Sequence, residues 1–148
     1  MRPTSRGQTH IASEDLAEPP AIRVNYLQTE LDQQVAVAAF RKTRELFDAG
    51  ALQAYGGTEL APGPSVESDE AILEYIRDTG EPVHHLCGSC KMGSDEMSVV
   101  DGRLRVHGIE GLRVADASVM PEIVSGNTHA ACVMIGEKGA DLVLGAGS

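Results

Sequence analysis

The stretch Leu112-Arg113-Val114-Ala115-Asp116-Ala117-Ser118-Val119-Met120-Pro121, with the run Ser125-Gly126-Asn127-Thr128-His129-Ala130-Ala131-Cys132-Val133-Met134-Ile135 after it, decides how this 148-residue chain is read. Leu112 to Ala115 reads as a short strand. Asp116-Ala117-Ser118 at its end has the form of a strand-end site in an α/β sheet, where ligands sit outside the carboxyl ends of strands. Asn127 to Leu144 then reads as a helix with few charges before Glu137 and Lys138. Being apolar nearly all round, it is expected to be buried on more than one side, by a sheet and a neighbour. Its start offers free N–H donors to an anion or an electron-rich ring edge. From the residues alone, Asn127 reads as a plain N-cap.

Upstream lies His84-His85-Leu86-Cys87-Gly88-Ser89-Cys90-Lys91-Met92-Gly93, then a turn at Asp101-Gly102 and a short strand near Leu104 to Val106. The first half has another texture. Gln8 to Ala12 alternates and Ala21 to Leu27 reads as extended chain, giving two short strands. Asp32 to Ala49 places Ala36, Ala39, Phe40, Thr43 and Phe47 on one helical face, with Gly50 as a stop. Residues 50–67 read as a Gly- and Pro-rich loop. Ser68 then caps a helix that buries Ile72, Tyr75, Ile76 and Thr79 and ends at Gly80. The expected fold class is α+β (α/β), with a division at residues 1–83 and 84–148, and Gly145 to Ser148 as a terminal tail.

Twelve Lys and Arg against 22 Asp and Glu leave a net charge of −10, the wrong sign for binding nucleic acid or an anionic membrane surface. Without Trp, and with three Tyr and two Phe, the core must be aliphatic. Three cysteines, an odd number, argue against a secreted disulfide framework. Neither a signal peptide nor a transmembrane segment is read, so the expected localisation is cytoplasmic, compatible with peripheral attachment to a membrane.

His84, His85, Cys87 and Cys90 lie close enough in sequence to suggest a metal site, but a second ligand pair is lacking, and the expected metal ligands are none. Cys87 and Cys90 read instead as partly buried thiols packing a turn. Histidine, with an ordinary pKa near ~6.5, is the default acid–base group. In an extended segment His84 and His85 point to opposite faces, so one of them faces a given pocket. Gly88 and Ser89 allow another body to approach the backbone. No Gly-rich nucleotide-binding fingerprint occurs anywhere in the chain.

At these residues the chain resembles the C-terminal region of the glucose-methanol-choline (GMC) flavin oxidoreductases, in the branch of choline dehydrogenases and related alcohol dehydrogenases. His85 to Gly93 is similar to the family's H-x-x-G-[TS]-C-K-M-G segment. Val99-Val100-Asp101, Arg105-Val106-His107-Gly108 and Leu112 to Pro121 resemble its V-V-D, R-V-x-G and L-R-V-x-D-A-S-x-M-P signatures. Arg2 to Gly7, Pro20 to Leu27 and Ser68-Asp69-Glu70 look like the opening, the next strand and the helix before the active-site segment.

The resemblance implies residues 1–83 as part of the substrate-binding domain, an antiparallel sheet with helices. Residues 84–148 would be the active-site segment with the last strand and C-terminal helix of the FAD-binding domain. It implies oxidation of a primary alcohol, choline-like or other, by hydride transfer to FAD, with His85 as base and Asn127 holding the same oxygen. Asp116, Ala117, Thr128 and His129 would lie against the FAD. The partner implied is an N-terminal FAD-binding half absent from these residues. Where this branch commonly has a second Asn and a Pro after the first Asn, the chain reads Asn127-Thr128-His129-Ala130-Ala131. The alternatives are a truncated fragment without function and a small metal-binding module.

Overall fold

Helix α1, Glu30–Phe47, begins where Thr29 accepts a hydrogen bond from the Asp32 N–H through its Oγ1 at 3.3 Å. That start lies two residues ahead of the Asp32 expected from the apolar pattern. Because Thr29 does the capping, Asp32 turns inward and is 8% exposed. Its carboxylate accepts the backbone N–H of Thr4 at 2.8 Å and of Ser5 at 2.7 Å. A buried carboxylate is tolerated when such donors replace its water. The computed structural model describes residues 2–145, so the expected tail beyond Gly145 lies outside the described residues.

The remaining elements are strands β1 (Gln8–His10) and β2 (Ala21–Arg23), the short helix α2 (Gly50–Gln53), α3 (Asp69–Thr79), a single 3-10 turn (Ala117–Val119) and α4 (His129–Leu144). The described residues are thus α+β, with four helices and one two-stranded sheet, β1 with β2. They fall into two compact units, 4–7 with 22–81, and 2–3 with 8–21 and 82–145.

In the unit containing α1, the buried face of the helix differs from the expected one. Val37 is buried and Ala36 and Phe40 half-buried, whereas Ala39, Thr43 and Phe47 face outward. The reason lies in α3, whose Tyr75 ring meets Phe40 edge-on at 6.1 Å between centroids. Arg44 lies over the Phe40 ring, its Cζ 4.6 Å from the centroid. It also donates to Glu59 at 2.8 and 3.0 Å and to the carbonyls of Gly63 and Val66. Arg41 reaches Asp69 and the Glu67 carbonyl. Two arginines of α1 thus hold the loop that precedes α3. Gly50 opens α2 rather than closing α1, which ends at the Asp48 cap. The cap of α3 is as expected: Ser68 Oγ accepts from the Ala71 N–H and Gly80 closes the helix, burying Ile72, while Thr79 is exposed.

The strands expected near 104–106 and 112–115 are single bridges instead, Val100 with Val106 and Arg105 with Arg113. Leu104 stands at φ 63°, and Gly108 and Gly111 at φ 77°, so the chain turns before a ladder can run. Around these bridges lies the core of Val100, Leu104, Val119, Met120, Ile135 and Leu142. Within the described residues α4 is covered on one side, not several. Ile135, Gly139 and Leu142 are buried, while Val133, Met134, Val143 and Leu144 are exposed.

Candidate functional site

The segment carrying His85 is tied by its backbone to the one carrying Asp116. The Cys90 N–H donates to the Ser118 carbonyl at 3.0 Å and the Met92 N–H to the Val119 carbonyl at 2.8 Å. Gly88 permits this crossing, since it stands at φ 87° and a Cβ there would lie 3.3 Å from the Met120 carbonyl oxygen. Cys87 packs against the core, as does Cys132, and no cysteine is in a disulfide.

His84 and His85 part company for a different reason than strand alternation. His84 sits at φ 57°, so the segment is bent there. His84 is exposed and His85 half-buried. His85 Nδ1 lies 2.8 Å from Oγ1 of Thr128, across 43 residues of sequence. Thr128 is 6% exposed and is the N-cap residue of α4. Asn127, read from sequence as a plain N-cap, is one residue outside that position and exposed.

Asp116 caps the 3-10 turn, its Oδ1 accepting the Ser118 N–H at 2.7 Å, and its residue is exposed. Ala117 lies in that turn against the core. His129 is the exposed first residue of α4. The helix's first backbone bond runs from the Cys132 N–H to the Thr128 carbonyl at 2.9 Å, which leaves the N–H groups of residues 129–131 without an intrahelical acceptor.

The structure therefore gathers His85, Thr128 and the neighbouring Asn127 at the start of α4. The direct partnership of His85 with Thr128 was not read from sequence; its only signal was the adjacency of Thr128 to Asn127. Among the described residues no group of three or more His, Cys, Asp or Glu could hold a metal ion. A flavin's polar ring edge fits the donors here, a helix start with an exposed amide and an imidazole. Its pyrophosphate does not, for want of a Gly-rich phosphate turn.

The family profile described as GMC oxidoreductase matches residues 3–136. An oxygen-dependent choline dehydrogenase of Citrobacter koseri is 51% identical over 145 residues, covering 98% of this chain and 26% of the relative. Among solved structures, pyridoxine 4-oxidase from Mesorbium loti superposes with a TM-score of 0.87 at 35% identity, over 94% of this chain and 27% of that one. An FAD-dependent oxidoreductase from Chaetomium thermophilum gives 0.89 at 34% identity, over 96% and 25%. The fold and these motifs are those of a GMC-type C-terminal domain. The chain belongs to the GMC oxidoreductase family. It spans about a quarter of the length of the curated relatives it matches. Among the described residues no helix is long and apolar enough to cross a membrane.

Proposed function

We propose that the chain is the C-terminal catalytic portion of an FAD-dependent oxidoreductase that oxidises the CH–OH group of a primary alcohol, choline or a similar one. In this reading residues 1–83 form part of a substrate-binding domain. Residues 84–148 carry the active-site segment and C-terminal helix of an FAD-binding domain, completed by an FAD-binding portion outside these residues. The observation that carries the proposal is the meeting of His85 with the start of α4, where Asn127 and Thr128 stand side by side.

His85 takes the hydroxyl proton, since a hydride leaves an alkoxide more readily than an alcohol; a positioned base contributes typically ~10²–10⁴-fold. Asn127 donates its amide to the same oxygen as negative charge develops there. When bound, the flavin supplies the hydride acceptor. Asp116, Ala117, Thr128 and His129 would hold it, and the N–H groups at the start of α4 would favour negative charge at its edge. Choline as substrate is supported by the 51% identity to an oxygen-dependent choline dehydrogenase, and a net charge of −10 is compatible with a cationic alcohol.

The test is co-expression with an FAD-binding portion taken from a relative, followed by anaerobic mixing with choline and with an uncharged primary alcohol. Flavin should co-purify with the assembly and not with the 148-residue chain alone, and choline should bleach it. Stoichiometric flavin on the chain alone, or an assembled flavin that no primary alcohol reduces, would overturn the proposal.

A further inference from the structure

Thr128 holds the N-cap position of α4, yet its side chain makes no capping hydrogen bond. Threonine at that position ordinarily accepts the N–H of the second or third helical residue, a bond worth ~0.5–2 kcal/mol. Here the backbone is helical at φ −77° and ψ −9°, which turns the hydroxyl away from the helix, and Oγ1 lies 2.8 Å from His85 Nδ1. The contact is sheltered, for Thr128 is 6% exposed. A buried hydroxyl that leaves its own helix uncapped and meets a half-buried imidazole has a role at that imidazole.

We infer that Thr128 is the positioning residue that fixes the tautomer of His85: Oγ1 accepts Nδ1–H, so that Nε2 keeps its lone pair. The inference rests on the reading of His85 as base. A neutral imidazole has one N–H and one lone pair, and the partner of one nitrogen decides the state of the other. With Nδ1 engaged by Thr128, Nε2 is the nitrogen left to take a proton from an alcohol. Were the hydroxyl to donate to Nδ1, Nε2 of the neutral ring would already carry the hydrogen and could take no proton from the alcohol. The hydroxyl also holds the ring in one rotation, as partners of catalytic and metal-binding histidines do.

The chain supplies an internal reference. His107 Nε2 lies 3.1 Å from the Gly93 carbonyl oxygen, which can only accept, so a neutral His107 carries its hydrogen on Nε2. The two histidines should show opposite tautomers.

The experiment is two-bond proton–nitrogen NMR on the 148-residue chain labelled with ¹⁵N-histidine, at a pH where imidazoles are neutral, with signals assigned by replacing each of the five histidines in turn. The expected result is Nδ1–H at His85 and Nε2–H at His107. Thr128→Ser should keep the His85 signal and Thr128→Val should lose it. A wild-type His85 in the Nε2–H form in the folded chain or, where the chain folds only with its FAD-binding portion, in that assembly, or a Thr128→Val spectrum equal to wild type, would overturn the inference. In the flavin-loaded assembly, Thr128→Val should lower the maximal rate of flavin reduction about 10–100-fold with rescue by Thr128→Ser, the range for loss of a histidine's orienting partner. Failure of the base assignment is separate: it would appear as an unchanged rate in His85→Ala, whatever tautomer the NMR reports.

Discussion

Gly139 of α4 faces Ala115 so closely that a Cβ at residue 139 would lie 3.0 Å from the Ala115 Cβ and 3.5 Å from Leu104 Cδ1. The helix thereby reaches the segment leading to Asp116, and the two halves of the site share one wall. Overpacking such a contact costs ~1–3 kcal/mol. Gly139→Val should therefore lower the unfolding midpoint in urea. Gly139→Ala should change it little, because the helix-propensity gain of ~1 kcal/mol offsets the crowding. An unchanged midpoint in Gly139→Val would show that α4 does not seat this closely.

Asp32 makes stability depend on pH. Burial by itself raises its pKa, but the hydrogen bonds from Ser5 and Thr4 outweigh burial and hold the carboxyl well below its usual range. A folded-state pKa beneath the unfolded ~3.9 gives stability that is complete above that value and is lost as pH falls through the folded one. Unfolding curves at pH 7 and pH 3 should show wild type losing stability on acidification. Asp32→Asn should start lower at pH 7 and lose less. Equal acid sensitivity in the two proteins would place the pH dependence elsewhere.

The two histidines should separate kinetically. In a flavin-loaded assembly His85→Ala should reduce the rate of flavin reduction at saturating alcohol by ~10²-fold or more, the scale of a positioned base. His84→Ala should reduce it mildly, because His84 is exposed where the chain bends, at φ 57°. Equal losses, or a greater loss at His84, would refute the assignment.

Asn127 can be tested without a helix-capping complication, because Thr128 and not Asn127 holds the N-cap position. Asn127→Asp should melt within about 0.5 kcal/mol of wild type, as exposed substitutions usually do. It should nevertheless slow flavin reduction ~10²-fold, since a donor to the developing oxyanion becomes a repelling acceptor. Stopped-flow reduction at the wild-type rate would remove Asn127 from the site.

Much of the fold was legible where the determining contacts are local. Ser68 capping α3 and Gly80 ending it are events within one turn, and the sequence shows both partners. The strand reading of 104–106 and 112–115 went astray because apolar alternation does not reveal that Leu104 turns to positive φ, which limits pairing to single bridges. Arg41 and Arg44 look in sequence like ordinary charges on a solvated face. They grip residues 59–69, up to 28 positions away, and no local pattern points there.

The candidate site divides the same way. The run of motifs from His85 to Pro121 and the apolar helix after it determined the family and singled out His85, Asn127 and Asp116, because residue type and order are written in the chain itself. Which hydroxyl meets His85 was decided by tertiary structure alone. A hydrogen bond spanning 43 residues forms only after the backbone of 90–92 has paired with that of 118–119 and α4 has packed against the core between them. Periodicity and capping rules act over a few residues, so they place Thr128 at the head of a helix and stop there; the geometry of the packed core turns it to the imidazole.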